Sequence, residues 1–260
     1  MVSLGLGLAA GLGIRPLSLV VGAVLMGQLS IGWSNDWLDA RRGWDLGRGD
    51  KPVERAEVTG RTVGVAATVA VGLCVVLSVA LGAVAAIVHL VAVASGWAYN
   101  LGLKATAASG VPYVLSFGLL PSVVTAAAGA GLAPWWAALT GACFGAGVHF
   151  ANVLPDLQSD AVAGVRGLPQ RLGAGPSLTL TVVLLAAGAA VVLIAPPGDV
   201  AGLSAGGAVV SIVGGIACAI LLGGVLTAGL RGQYDLAFRL SMATGLMVVG
   251  LLVLRGNALV

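Results

Sequence analysis

Sixteen of the 23 charged side chains in this 260-residue chain occupy two short segments, so the long apolar stretches around them must fold out of contact with water. Residues 36–61 hold six acids (Asp36, Asp39, Asp45, Asp50, Glu54, Glu57) and six bases (Arg41, Arg42, Arg48, Lys51, Arg55, Arg61). A smaller cluster holds Asp156, Asp160, Arg166 and Arg171. Soluble domains carry about 25% charged residues; here the share is 9%. That shortage excludes a disordered chain and points to an integral membrane protein whose side chains face lipid or one another. The 41 glycines fit the same reading, because small residues let helices in a bilayer approach closely.

The clusters divide the apolar sequence into lengths that can be compared with the roughly 20 residues of a membrane-crossing helix. A short piece at 1–13 is followed by expected spans near 16–34, 62–82, 84–103, 111–130, 134–154, 177–195, 205–228 and 236–254. The breaks fall at Pro, Gly and charged residues such as Arg15-Pro16, Gly82, Pro196-Pro197-Gly198 and Arg231-Gly232. This predicts an all-α polytopic protein with one transmembrane domain over 1–260 and motif loops at about 35–61 and 154–175. Alternating crossings put 11 of the 13 Lys and Arg on one side, leaving Arg15 and Arg255 opposite. By the positive-inside rule that side is cytoplasmic, and both charge clusters open to it. No charged n-region precedes the first apolar stretch, so no cleaved signal peptide is expected. Cys74, Cys143 and Cys218 are far apart in apolar runs and read as packing residues.

The first cluster opens with Asn35-Asp36-Trp37-Leu38-Asp39, where Asn35 and Asp39 are four apart and share a helical face. The second reads Asn152-Val153-Leu154-Pro155-Asp156-Leu157-Gln158-Ser159-Asp160, with Asn152, Asp156 and Asp160 at the same spacing and Pro155 placed to kink the helix. Carboxylates gathered at a helix end suit Mg²⁺, which takes oxygen ligands and is shared between one or two carboxylates and substrate phosphates. Solvated loop charges satisfied by arginines are the plainer alternative for either motif alone. Two motifs of one pattern on one membrane face favour function, since acids at membrane depth are costly.

These residues resemble the UbiA superfamily of intramembrane prenyltransferases. Asn35-Asp36-x-x-Asp39 with Asp45 and Gly49-Asp50-Lys51-Pro52 is similar to the family's first aspartate-rich motif. Asp156-Leu157-Gln158-Ser159-Asp160, continuing to Arg171-Leu172-Gly173, is similar to its second, and Tyr99-Asn100-Leu101-Gly102-Leu103-Lys104 to the tyrosine-to-lysine element between them. The resemblance implies a bundle of about nine transmembrane helices around a cavity, with the first helix shortened to the 13-residue piece before Arg15-Pro16. It implies Asn35, Asp36, Asp39, Asp45, Asp156 and Asp160 at the Mg²⁺ site, Asp45 lying six residues beyond Asp39 where some members space it by four. Asn35, Arg42, Tyr99, Lys104, Asn152, Arg166 and Arg171 would bind substrate. Asp39, Asp160, Lys104 and His149 form the expected catalytic set, with His149 orienting the acceptor or accepting its proton.

The expected reaction is Mg²⁺-dependent transfer of a prenyl group from a polyprenyl diphosphate to an aromatic acceptor, with diphosphate released. Trp33, Trp37, Tyr99, Tyr113 and Phe150 are candidates to shelter the allylic cation by cation–π contact, or to anchor the protein at the interface. His89 lies in an apolar span without a nearby acid and reads as structural. A membrane terpene cyclase would use the same aspartates without an acceptor. An ion-coupled transporter or lipid-binding protein is the alternative of another class, but transport predicts acids at the bilayer midplane and broken helices there. The expected setting is a bacterial plasma membrane with lipid as neighbour. Nucleic-acid and dinucleotide partners have no support, since the +3 net charge comes from topology-setting loops.

Overall fold

Helix follows helix through the computed structural model, which describes residues 2–44, 51–53, 55–195, 205–255 and 259 and has no strand among them. The elements are α1 (Val2–Ala9), α2 (Ile14–Arg42), α3 (Gly60–Val79), α4 (Ala83–Leu101), α5 (Val111–Ala127), α6 (Trp135–Val153), α7 (Leu157–Val162), α8 (Leu168–Leu172), α9 (Ala174–Ile194), α10 (Ala205–Leu230) and α11 (Tyr234–Leu254). Among the described residues seven helices are long and apolar enough to cross a membrane, and α5 adds a shorter apolar helix of 17 residues. With α1, which is 8 residues long, these match the eight spans and the short leading piece expected from hydropathy.

The largest departure is α2, which runs for 29 residues and ends at Arg42, well beyond the expected end near 34. Charges there were grounds for expecting a loop; instead the first motif occupies the last turns of the helix. Its end is set at Gly43, whose φ of 70° is the left-handed conformation glycine adopts without strain. The Gly43 N–H reaches Ala40 O and the Trp44 N–H reaches Asp39 O at 3.0 Å, a Schellman closure. The second motif is also not one α-helix. Pro155 lacks an N–H, and the chain passes through a 3-10 turn at Leu154–Asp156 before α7 begins.

Helices adjacent in sequence pack as antiparallel neighbours: α2 on α3, α4 on α5, α5 on α6, α10 on α11. The pairings α6–α9, α2–α4 and α11–α6 close the bundle, and α1 lies against α2, α5 and α11. In lipid there is little hydrophobic drive between helices, so close packing and directional bonds must hold them. Two glycines of α6 supply the closest approach: a Cβ on Gly141 would stand 2.2 Å from Phe117 O and one on Gly145 2.3 Å from Tyr113 O, so α6 touches the α5 backbone. Polar bonds pin α2 to α4. Asn100 Nδ2 donates to Ile31 O and Ser34 Oγ at 2.8 Å each, and Trp97 Nε1 donates to Ser30 Oγ at 3.2 Å. Away from the motifs, Leu6, Val20, Val124, Trp136, Val192 and Leu251 form a buried apolar core. The motif end of the bundle is left for polar groups.

Candidate active site

At that end α2, α4, α5 and α6 surround a cavity of about 510 Å³. α2 presents Gln28, Gly32, Asn35 and Asp39 to it, a repeat of four, three and four residues that keeps one face of a continuous helix toward the space. The opposite wall carries Asn152, Asp156 and Asp160, which share the cavity even though a 3-10 turn separates α6 from α7. Asp36, Lys104, Tyr99 and His149 also line it. Nine of the expected site residues are therefore brought together from segments more than 100 residues apart.

Two lysines hold the acids of the first motif. Lys104 Nζ pairs with Asp39 Oδ1 and reaches Asn35 Oδ1 at 3.1 Å; both ends of that ion pair are buried, Lys104 being 9% and Asp39 6% exposed. Lys51 Nζ lies 2.5 Å from Asp36 Oδ1. On the second wall Gln170 Nε2 donates to Asp160 Oδ2 at 2.7 Å. Trp44 lines the mouth with the Lys104 ammonium and the Arg42 guanidinium each 4.9 Å from its ring centroid. Deeper in, Tyr99 and Tyr113 meet edge to face at 5.4 Å, Tyr113 lies 4.8 Å from the His149 ring, and Phe117 stacks beyond Tyr113. Ser109 Oγ accepts the Leu168 N–H at 2.9 Å and contacts His149 Nε2 at 3.0 Å, tying the ring to the chain after the second motif. His149 Nδ1 is buried with no hydrogen-bond partner among the described residues.

Three expected substrate-binding cations do not reach the cavity. Arg42 donates to Asn100 O at 2.7 Å and Leu101 O at 2.9 Å, because the last turn of α2 points its side chain at the unsatisfied carbonyls ending α4. Arg166 and Arg171 are exposed, and Arg171 Nε donates to Arg166 O at 2.8 Å. Of the aromatic candidates, Tyr99 and Tyr113 line the space, whereas Trp33, Trp37 and Phe150 do not. Trp37 instead packs where Gly64 leaves room on α3, 2.9 Å from the position of a Cβ there. Asp45 lies outside the described residues. Lys51, Trp44, Gln170, Gln28 and Ser116 line the cavity without having been assigned a role from sequence. Gln28 stood seven residues before Asn35, one helical repeat that could have placed it on the motif face; Gln170 had no such signal.

Hard divalent cations suit this donor set. The described lining carries four carboxylates (Asp36, Asp39, Asp156, Asp160) against two ammonium groups (Lys51, Lys104), a formal balance of −2 that would repel an anionic ligand unless cations accompanied it. Among the described residues no three His, Cys, Asp or Glu side chains gather as a self-sufficient metal site. Acids split between two walls match an ion that keeps water and draws further ligands from phosphate.

A family model described as "UbiA prenyltransferase family" matches residues 1–227. No curated protein matches the sequence. Among solved structures, the apo structure of a UbiA homolog from Aeropyrum pernix K1 is 18% identical, with 97% of this chain and 96% of that one covered at a TM-score of 0.74. A UbiA homolog from Archaeoglobus fulgidus bound to DMAPP and Mg²⁺ is 14% identical, covering 96% and 93% at 0.71. A digeranylgeranylglyceryl phosphate synthase structure is 17% identical, covering 99% and 92% at 0.65. At these identities the solved structures speak to the fold.

Proposed function

The chain belongs to the UbiA prenyltransferase family, and from that premise we propose that it transfers a prenyl group from a prenyl diphosphate to an aromatic acceptor within this cavity, releasing diphosphate. The observation that carries the reading is the meeting of two acid motifs and two lysines at the mouth of one cavity whose deeper wall is aromatic. Related structures hold DMAPP or GPP together with Mg²⁺, which supports the same substrate and metal here. Asn35, Asp36 and Asp39 on one wall and Asn152, Asp156 and Asp160 on the other would hold Mg²⁺. When bound, that ion supplies positive charge against the diphosphate as it departs.

The protein's own groups do the rest. Lys104, buried and fixed by Asp39 and Asn35, keeps an ammonium beside the leaving group where low polarity strengthens its field. Lys51 adds a second positive charge at the mouth. Tyr99, Tyr113 and Phe117 offer ring faces to the allylic cation and keep water from it. His149 borders the same space and takes the proton that the acceptor releases. The motif end faces the cytoplasm, a placement supported by the 11 of 13 basic residues that the alternating topology gathers there.

The test uses the full chain in lipid nanodiscs with allylic diphosphates of increasing length, Mg²⁺ and a panel of aromatic acceptors, measuring diphosphate release and product mass. Release should require both metal and acceptor, and should fall by about 10²-fold or more in Asp39→Asn and Asp160→Asn. Undiminished turnover in folded variants would remove the site assignment. Hydrocarbon formed without any acceptor would make the protein a cyclase.

A further inference from the structure

Below the floor of the active-site cavity a smaller one of about 40 Å³ continues between α2, α4 and α5. The two share Gln28, Ile31, Ser116 and Phe117, so the small one is the far end of a single elongated space. Its remaining walls include Val24, Leu120 and Val123, and one histidine, His89. His89 is 4% exposed and is not used by the reaction described above.

The hydrogen bonds around His89 favour one tautomer. Ser78 Oγ donates its single proton to Cys74 O at 2.6 Å, so toward His89 Nδ1, 2.7 Å away, it can only accept. The ring proton therefore sits on Nδ1, and Nε2 is left as an acceptor. Nε2 has no hydrogen-bond partner among the described residues and lies 3.4 Å from where a Cβ on Gly27 would stand, next to Gln28 on α2. His89 keeps 4% of its surface exposed and lines the pit, so this acceptor opens on a narrow, mostly apolar space where pairing it with a donor is favourable. The pit thus has room for a group of about water size, wants an O–H or N–H donor there, and surrounds it with aliphatic side chains that disfavour a charge.

We propose that this pit binds a neutral hydroxyl on the acceptor substrate, remote from the reacting carbon, with the hydroxyl donating to His89 Nε2 and the Gln28 amide alongside it. The proposal rests on the prenyl-transfer reading and narrows its second substrate. His89 and Tyr99 are ten residues apart on α4, about 15 Å along the axis, so such an acceptor would extend from the aromatic wall to the pit with its body between Ile31 and Phe117. The prenyl chain is a hydrocarbon with no donor to offer, and placing its tail here would leave Nε2 unpaired.

The probes are 2-naphthol and 2-fluoronaphthalene, which are close in size and shape and differ in the donor. Binding to the full chain in nanodiscs, corrected by empty nanodiscs, should favour 2-naphthol by tenfold or more. His89→Asn keeps a donor to Ser78 but has no atom at the Nε2 position, and should reduce that preference to less than twofold. Gln28→Leu should weaken 2-naphthol more than 2-fluoronaphthalene. Equal affinity for the two probes in the unaltered protein overturns the proposal, as does a preference that persists in folded His89→Asn. Mg²⁺-dependent GPP binding to the unaltered protein reports on the parent reading separately: its absence overturns prenyl transfer, whereas its presence with equal probe affinities overturns the pit alone.

Discussion

Gly145→Ala adds one methyl group where α6 rests on the α5 backbone, and its effect can be worked from the contact itself. The new Cβ would lie 2.3 Å from Tyr113 O and 2.9 Å from Phe117 Cβ. Ordinary contact begins at 3.4 Å, so the helices must part by about 1.1 Å, and backbone cannot rotate aside as a flexible side chain can. Overpacking of this kind costs about 1–3 kcal/mol. The displacement also separates two walls of the cavity, since α5 carries Tyr113, Ser116 and Phe117 while α6 carries His149 and Asn152. A misplacement of about 1 Å can cost on the order of 10² in rate. Thermal unfolding and prenyl transfer in nanodiscs would be measured beside Gly72→Ala, where a Cβ meets nothing within 4 Å and the change should be neutral or stabilising by up to about 1 kcal/mol. If Gly145→Ala unfolds and turns over like Gly72→Ala, the α5–α6 contact does not set the geometry of the site.

Lys104→Met leaves Asp39 buried without its cation, a loss of about 3–5 kcal/mol for a broken buried pair, and should slow transfer about 10²- to 10³-fold; wild-type turnover in a folded variant would refute the assigned role. Arg42→Gln gives up the bonds to Asn100 O and Leu101 O, so unfolding should become easier by about 1 kcal/mol while KM for the diphosphate changes less than about threefold. A tenfold rise in KM would instead return Arg42 to the substrate.

The helical architecture was legible because a membrane imposes a length on every crossing, and runs such as 62–82 and 134–154 meet it without help from distant contacts. The acid motifs were legible as spacing. Less visible was where α2 would stop: its charges suggested solvent, while the controlling signal was Gly43 and its left-handed turn. Arg42 misled for a related reason, because a cation near acids resembles a phosphate ligand until the carbonyls at the end of α4 are placed beside it. That His89, bonded to Ser78 as a structural residue would be, also lines the space next to the active-site cavity was not legible, because it depends on α2, α3 and α4 packing together, which no local pattern encodes.

The polar seam between α2 and α4 has a consequence for how freely the sequence can drift. Hydrogen bonds from Asn100, Trp97 and Arg42 key the two helices at three levels, from Ser30 to the helix ends. A keyed joint fixes its register at the teeth, and the outer surfaces of the two helices carry none of that information. Residues such as Leu25 on α2 and Ile87 on α4, which point away from the joint and are 51% and 65% exposed, are held only to being apolar. Exchanging one aliphatic side chain for another at those positions leaves the alignment of Asn35 and Asp39 with Tyr99 and Lys104 intact.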